Sequence, residues 1–176
     1  MNTELRLAGI VNDSIVDGPG LRITIFTQGC PHRCPGCHNP QTHDFNGGCV
    51  KNINDILEDI KSNPLLNGVT FSGGEPFCQA KVLSVLADEI HKLGLDIVTY
   101  TGFTFEELYN DKEHPEYLEL LKRTDILIDG PFKIDLKSLD CKFRGSTNQR
   151  IIDVQKTLWS YTTYNGGVVL ADISKY

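Results

Sequence analysis

The chain has 176 residues, of which 40% are hydrophobic and 23% charged, and its formal net charge is −6. This length and composition predict one globular domain spanning residues 1–176, with a core large enough to need no disulfide. The acidic balance, with no basic cluster longer than Lys122-Arg123, argues against a nucleic-acid partner. No run approaches the roughly 20 apolar residues of a membrane span, so we expect no membrane partner.

The N-terminal segment, Met1 to Arg6, lacks the basic region and apolar run of a secretory signal, so we expect a cytoplasmic protein. Thiols are kept reduced in that compartment. The six cysteines are therefore expected to be metal ligands, catalytic groups or core residues rather than disulfides.

Short strand patterns alternate with helix patterns along the chain. The run from Leu21 to Phe26 alternates apolar and polar residues and predicts the first strand, and the spacing of Ile53, Ile56 and Ile60 predicts the first helix. Further strands are predicted over 68–71, 95–100 and 125–129. Further helices are predicted over 79–93, from 104, and over 115–123.

Three local signals predict where helices begin or end. Asn52 is a predicted N-cap, and Thr104 with Glu107 has the form of a capping box. Gly94 stands where a glycine commonly follows a helix, and Leu93 is predicted to face inward with the apolar residues of that helix.

Strands spaced in this way, with helices between them, predict βαβ units and a parallel sheet. A complete eight-stranded barrel needs roughly 250 residues, so the expected fold is α/β, an incomplete and open parallel β/α barrel. In such sheets the chemistry lies at the carboxyl ends of the strands. Four polar or glycine-rich segments follow predicted strands and are expected to meet at one rim: Gly29-Cys30, Ser72 to Glu75, Thr101-Gly102 and Asp129-Gly130.

Cys30, Cys34 and Cys37 form a C-x3-C-x2-C motif on one predicted loop. Thiolates hold iron–sulfur clusters, and a cubane normally takes four, so three ligands leave one iron open, as in a catalytic metal site. The spacing alone also allows a zinc site closed by His32, His38 or a remote cysteine, and, less well, three ordinary buried thiols. The remaining cysteines, which we expect to be ordinary thiols, are Cys49, Cys78 and Cys141.

The segment from Ser72 to Pro76 reads Ser-Gly-Gly-Glu-Pro and by itself would predict only a turn. Together with the cysteine motif it resembles the radical S-adenosylmethionine (SAM) enzymes. The resemblance implies a barrel of radical SAM type, a [4Fe-4S] cluster on the three cysteines, and SAM on the open iron. In that family the reduced cluster cleaves SAM to methionine and a 5′-deoxyadenosyl radical.

The same resemblance assigns the residues that bind SAM. It places the methionine amino group on Gly73, Gly74 and Glu75. It places the adenine on the backbone of Gly36, Cys37 and His38. Because glycine lets a ligand approach the backbone closely, a valine at Gly74 is expected to block SAM and to leave the cluster intact.

Several of these side chains have simpler alternative roles. Glu75 has the position of an N-cap for the following helix, and His38 has no visible partner base. Asp129, a tentative catalytic residue, is equally well a turn residue before Gly130. Arg144 is a candidate ligand of the SAM carboxylate, with a surface ion pair as the alternative.

Four further segments narrow the resemblance to the anaerobic ribonucleoside-triphosphate reductase-activating proteins. They are Asp17 to Gly20, Tyr100 to Phe103, Asp129 to Phe132, and Arg144 to Gln149. The resemblance covers a core of about residues 11–149 and leaves a C-terminal extension of about 151–176. The aromatic residues of that extension either contact a partner or cap the open sheet; they are Trp159, Tyr161 and Tyr164.

This resemblance implies an enzyme that generates a glycyl radical on the large subunit of an anaerobic ribonucleotide reductase. It also implies an electron donor such as a flavodoxin or ferredoxin. Other radical SAM activities stay open, namely the activation of pyruvate formate-lyase and a deazapurine ring contraction. A non-catalytic zinc or iron–sulfur binding module also stays open, but it leaves the segment from Ser72 to Pro76 without a role.

Overall fold

The computed structural model describes residues 3–164 and 166–174. Within these ranges the strands are β1 (Glu4–Ser14), β2 (Arg22–Thr27), β3 (Cys49–Asn52), β4 (Gly68–Gly73), β5 (Asp96–Tyr100), β6 (Ile126–Asp129) and β7 (Arg150–Asp153). The α-helices are α1 (Ile53–Ser62), α2 (Ala80–Lys92), α3 (Phe105–Asn110), α4 (Pro115–Arg123) and α5 (Val154–Tyr164). No helix in the described ranges is long and apolar enough to cross a membrane.

The strands form one sheet in the order β3-β1-β2-β4-β5-β6-β7. The four strands β2, β4, β5 and β6 are parallel, as predicted. The remaining pairs, β1 with β2, β1 with β3 and β6 with β7, are antiparallel. Because β3 and β7 stand at opposite ends of the sheet, the barrel is open and incomplete, which confirms the predicted fold class.

The sequence analysis missed the three antiparallel strands β1, β3 and β7. Strand β1 buries Leu5 and Leu7 near its start, whereas most of its remaining residues are partly or fully exposed. Strands β3 and β7 have only four residues each, too few to show a clear alternation. Their strand conformation depends on pairing with neighbours that are distant in the sequence.

The predicted helices are present, and their N-terminal signals act as expected. The side chain of Asn52 accepts a hydrogen bond from the amide of Asn54 at 2.9 Å and caps α1. Thr104 and Glu107 form the complete capping box of α3, with each side chain accepting from the backbone amide of the other residue. These caps satisfy amide groups that the first turn of a helix leaves without partners.

The end of α2 differs from the prediction in one residue. Gly94 follows the helix with a φ of +77°, as a terminating glycine does. Leu93, predicted to face inward, is 41% exposed. The helix ends at Lys92, and Leu93 is the C-cap residue, so it no longer lies on the apolar helix face.

Alternation of side chains along the parallel strands separates two faces of the sheet. Ile25, Phe71 and Ile97 belong to one apolar core together with Leu83 and Leu86 of α2. This face is therefore covered by helices, as expected for parallel strands.

The opposite, concave face carries buried polar side chains at the alternate positions. The Arg22 guanidinium is fully buried and donates to the hydroxyl of Thr70 (2.7 Å) and to the carboxylate of Asp96 (2.6 Å). It also donates to the carbonyl of Pro19 at 2.9 Å, which ties the segment before β2 to the sheet. This polar layer lies at the amino ends of the strands, so their carboxyl ends remain free to build a site.

The C-terminal extension contributes both to the sheet and to its cover. Strand β7 pairs with β6, and the amide of Ala171 donates to the carbonyl of Ile151 at 2.9 Å. In α5, the ring of Tyr161 packs 5.3 Å from that of Phe105, whereas Trp159 is 59% exposed. The predicted division into a core of 11–149 and an extension within one domain stays a prediction.

Candidate active site

A cleft of about 790 Å³ opens at the carboxyl ends of the parallel strands. Its lining includes residues that follow each of the four strands, namely Cys30, Gly74, Gly102 and Gly130. Cofactor and small-molecule sites commonly have volumes of about 300–1,000 Å³. The four segments that were predicted to meet at one rim therefore surround a cavity of suitable size.

The cysteine loop that follows β2 is anchored at its base by Gln28. The buried side-chain amide of Gln28 donates to the carbonyl of Gln41 (3.0 Å) and to that of Asp44 (2.6 Å). The backbone amide of Cys30 donates to the carbonyl of His43 at 3.3 Å. These bonds close the loop from residue 28 to residue 44, so the three cysteines lie on a segment with fixed ends.

Backbone amides point at two of the three cysteine sulfurs. The sulfur of Cys30 accepts from the amides of His32 and Arg33, and the sulfur of Cys37 accepts from the amide of Asn39 at 3.4 Å. Burial raises the pKa of the Cys30 thiol, and its backbone hydrogen bonds oppose that change. Hydrogen bonds to ligand sulfurs are one means by which a protein sets the potential of an iron–sulfur cluster.

The histidines that a zinc site would recruit are turned to other partners. His32 lies 2.7 Å from the carboxylate of Glu75, and the ring of His38 packs 4.8 Å from that of Phe132. Across residues 3–164 and 166–174, no three His, Cys, Asp or Glu side chains are grouped so that they could hold one metal ion. Zinc needs four ligands at about 2.0–2.3 Å, whereas a cubane spreads its ligands around a larger body. Three thiolates on one loop are a donor set that a cubane cluster with one open iron would take.

Gly73 and Gly74 line the cleft, and a Cβ added to either residue would clash with the backbone that follows or ends β2. Gly73 has a φ of +94°, and a Cβ there would lie 2.6 Å from the amide nitrogen of Thr27. A Cβ on Gly74 would lie 2.3 Å from the carbonyl oxygen of Gly29. The amide of Gly74 donates to the carbonyl of Thr27 at 2.8 Å, which holds the two strand ends together. Close packing between β2 and β4 is therefore a second reason for glycine at these positions, and clearance for SAM stays a prediction.

Glu75 is fully buried beneath the cleft. One carboxylate oxygen accepts from the amide of Phe77 (3.1 Å) and caps the short turn before α2. The other oxygen accepts from the amide of Gly102 (2.9 Å) and pairs with Nε2 of His32 (2.7 Å). The Thr101 hydroxyl donates to the same carboxylate at 2.9 Å. The cap considered as an alternative is present, and a contact between this carboxylate and SAM stays a prediction.

Asp129 ends β6 and is not among the residues that line the cleft. Its buried carboxylate pairs with Arg150 and accepts from the amide of Phe105 at 2.8 Å. Arg150 also pairs with Glu106 at 2.7 Å. The hydrogen bonds that Arg150 donates to Asp129 and then to Glu106 raise the pKa of Arg150, and the bond to Arg150 lowers the pKa of Glu106. These contacts join β6, β7 and α3, and the tentative catalytic role of Asp129 stays a prediction.

The segment expected to meet the adenine lies at the edge of the cleft. His38 lines the cleft, and its ring packs on Phe132. Gly36 faces the side chain of Ile134. Contact between the adenine and the backbone of residues 36–38 stays a prediction.

Arg144 lines the cleft and makes no surface ion pair with a carboxylate in the part of the chain that the structure describes. Its Nη1 donates to the carbonyl of Gln149 at 3.0 Å. Its Nε is buried and has no hydrogen-bond partner among the described residues. The structure thus shows no surface ion pair for Arg144 among the described residues, and its role toward SAM stays a prediction.

Two cleft residues lay in motifs that the sequence analysis quoted without assigning them a role. Tyr100 lines the cleft and donates to the carbonyl of Phe143 at 2.7 Å, and burial, followed by the charge of Asp17, raises its pKa. Asp17 accepts from the hydroxyls of Ser14 (2.6 Å) and Thr24 (3.1 Å). The glycine-rich segments around these two residues were the only sequence signal for a nearby site. The spacing of residues in such a segment does not show which side chain faces a cavity.

An open β/α barrel with three cysteines on the loop after its first parallel strand defines a class of iron–sulfur protein. The family model described as a 4Fe-4S single cluster domain matches residues 16–152. Among solved structures, QueE from Escherichia coli is similar with a TM-score of 0.52, over 76% of this chain and 74% of that chain, at 15% identity. At this identity the likeness concerns the fold alone, and it supports the predicted barrel of radical SAM type.

Several curated relatives share one name, anaerobic ribonucleoside-triphosphate reductase-activating protein. The protein of Salmonella typhi is 36% identical over 143 residues, which cover 77% of this chain and 90% of the relative. That of Escherichia coli K12 is 34% identical over 144 residues, covering 77% and 90%. That of Enterobacteria phage T4 is 31% identical over 152 residues, covering 83% and 92%. The chain belongs to the family of anaerobic ribonucleoside-triphosphate reductase-activating proteins.

Family membership confirms three predictions made from the sequence. The chain is a radical SAM enzyme, and its cofactors are a [4Fe-4S] cluster and SAM. The non-catalytic zinc or iron–sulfur binding module considered as an alternative does not agree with this membership.

Proposed function

We propose that this protein generates a glycyl radical on the large subunit of an anaerobic ribonucleotide reductase. One observation carries the proposal. The cysteine motif and the segment from Ser72 to Gly74 line one open cleft, in a chain whose relatives are named activating proteins of that reductase.

The chemistry of the cofactors defines what the protein itself must do. When bound, the cluster and SAM supply one reaction: an electron from a donor cleaves SAM to methionine and a 5′-deoxyadenosyl radical, which takes a hydrogen atom from the glycine and leaves as 5′-deoxyadenosine. The protein must hold both cofactors, exclude water from them, and admit a segment of its partner. The proposed cluster ligands are Cys30, Cys34 and Cys37.

The two ends of the SAM site are proposed from different kinds of contact. Gly73 and Gly74 present backbone groups to the cleft for the methionine amino group, and the amide of the following residue, Glu75, donates to the carbonyl of Gly29. The opposite end, for the adenine, is formed by Gly36, Cys37 and His38. A backbone site of this kind is rigid, because the amide of Gly74 is bonded to Thr27 at the end of β2 and the amide of Glu75 is bonded to Gly29.

Arg144 is the proposed ligand of the SAM carboxylate. Arg144 lines the cleft, and its Nε–H is buried without a hydrogen-bond partner among the described residues. A buried donor without a partner costs about 1–3 kcal/mol, and a carboxylate is the acceptor that a guanidinium binds best. Binding SAM would remove that cost, so Arg144→Lys is expected to weaken SAM binding and to leave the iron content unchanged.

The rim of the cleft suits a protein substrate. Ile15 and Val16 line the cleft and are each 70% exposed, and Leu139, which also lines it, is 94% exposed. Exposed apolar side chains at the mouth of a site indicate a surface that a partner covers. A closed barrel would exclude a polypeptide loop, whereas this open cleft admits one.

The electron donor and the compartment follow from the same chemistry. A flavodoxin or ferredoxin is proposed as the donor, because the reaction consumes one electron at low potential. A cytoplasmic location is proposed, because free thiols and an oxygen-sensitive cluster need a reducing compartment.

The decisive experiment uses reconstituted protein under anaerobic conditions. It is mixed with SAM, a chemical reductant and the cognate reductase, and the reductase is examined by electron paramagnetic resonance. A glycyl-radical doublet is expected with the wild type and not with Cys34→Ala. Cleavage of SAM without a radical on the reductase, but with one on a formate-lyase, would overturn the choice of partner.

A further inference from the structure

The carboxylate of Glu75 connects three segments that surround the cleft. It lies 2.7 Å from Nε2 of His32 in the cysteine loop and 2.9 Å from the amide of Gly102 after β5. The amide of Glu75 donates to the carbonyl of Gly29 at 2.8 Å, so the chain on both sides of the first cysteine is tied to this one residue. Because a carboxylate only accepts hydrogen bonds, Nε2 of His32 carries the hydrogen.

The imidazole of His32 is also enclosed by the loop after β5. Its ring centroid lies 4.5 Å from that of Phe103, edge-on at 75°. A Cβ on Gly102 would lie 2.4 Å from the imidazole, so this loop fits around His32 only with a glycine at that position. The side chain is 18% exposed and lines the cleft. His32 is therefore held in one orientation.

Fixing His32 also fixes the backbone that carries two of the cysteines. His32 lies between Cys30 and Cys34 in the chain, and its amide donates to the sulfur of Cys30. Its Nε2 is engaged by the carboxylate of Glu75 at 2.7 Å. The bond between His32 and Glu75 thus joins the cysteine loop to the residue that follows the proposed SAM-binding glycines.

We propose that His32 is a positioning residue that holds the cysteine loop at the distance from the segment Ser72 to Gly74 that SAM requires. The proposal rests on the proposed function, in which SAM contacts both the cluster and that segment. Residues that orient metal ligands from outside the coordination shell typically change affinity or activity by about 10–100-fold when they are removed. Loss of His32 should therefore weaken SAM binding at a cluster that still assembles.

The test compares the reconstituted wild type with His32→Ala, His32→Gln and the control His91→Ala. The readouts are the iron content, the dissociation constant of SAM, and the electron paramagnetic resonance spectrum of the reduced cluster with and without SAM. His32→Ala should retain about four irons, bind SAM about tenfold more weakly, and change the spectrum recorded with SAM. His32→Gln, whose amide can replace the bond to Glu75, should bind SAM within about threefold of the wild type. His91→Ala, which removes a surface contact with Asp125, should change none of these.

Two results would overturn the proposal. One is a SAM affinity and spectrum of His32→Ala equal to those of the wild type. The other is an equal loss of iron in His32→Ala and His32→Gln with unchanged SAM affinity in the loaded fraction, which would indicate a general folding role. None of the readouts uses the reductase. Failure of the wild type to form a glycyl radical would therefore reject the proposed function and leave these measurements interpretable.

Discussion

Replacing Gly74 with alanine tests the packing between the two strand ends that hold the site. An added Cβ would lie 2.3 Å from the carbonyl oxygen of Gly29 and 2.9 Å from its carbon, and both are backbone atoms. Ordinary contact begins near 3.4 Å, so the segments must separate by about 1.1 Å. That shift stretches the hydrogen bond from the amide of Glu75 to Gly29, which is 2.8 Å long.

The cost of that separation follows from two terms. Overpacking costs about 1–3 kcal/mol, and a weakened buried hydrogen bond adds about 1 kcal/mol or more, giving about 3 kcal/mol. For a chain of this length such a loss lowers the melting temperature by about 6–12 °C. Because Gly29 precedes Cys30, the same displacement should also reduce iron binding.

Thermal unfolding and iron content of the reconstituted protein measure both effects. The matched control is Gly9→Ala, since an added Cβ at Gly9 meets nothing within 4 Å, and its effect should stay within about 0.5 kcal/mol. Suppose Gly74→Ala instead kept its melting temperature and iron while losing SAM binding. The packing argument would then be refuted, and clearance for the ligand would be the reason for glycine.

Three further predictions concern other parts of the molecule. Arg150→Ala leaves the buried carboxylate of Asp129 without its cation. After allowing for the partial exposure of Arg150, this should lower the free energy of unfolding by about 2–3 kcal/mol. A denaturation midpoint equal to that of the wild type would contradict the prediction. Desolvation of its thiol, followed by the charge of Glu75, raises the pKa of Cys78 to about 12, although the residue as a whole is exposed; at pH 8 its alkylation should therefore be slower than that of free cysteine and should accelerate toward pH 12, which peptide mapping can measure. Cys34→Ala should lose the cluster, whereas Cys141→Ala, although Cys141 lines the same cleft, should retain about four irons by chemical analysis. Loss of iron in Cys141→Ala would mean that the cluster has four protein ligands.

The elements that could be predicted are those whose signals are local. Asn52 caps α1 from the adjacent position, and Gly94 ends α2 through its own backbone conformation. The strands β1, β3 and β7 were not predictable in this way, since their conformation depends on partners elsewhere in the chain. Leu93 shows the same limit within a helix, because a helix that ends one residue earlier exposes the side chain that periodicity places inside.

The sequence by itself determined the cysteine motif, the four parallel strands and the segments that meet at the cleft, because each is marked by a local pattern of residues. Only the tertiary structure decided the directions of the side chains at that cleft. Glu75 and His32 are 43 residues apart, and their bond exists only because β2 and β4 are neighbours. Gly74 likewise serves the contact with Gly29 on the adjacent strand end. The packing distance between strands decides whether a residue at a strand end faces a ligand or a neighbouring backbone. The spacing of residues along the sequence does not specify that distance.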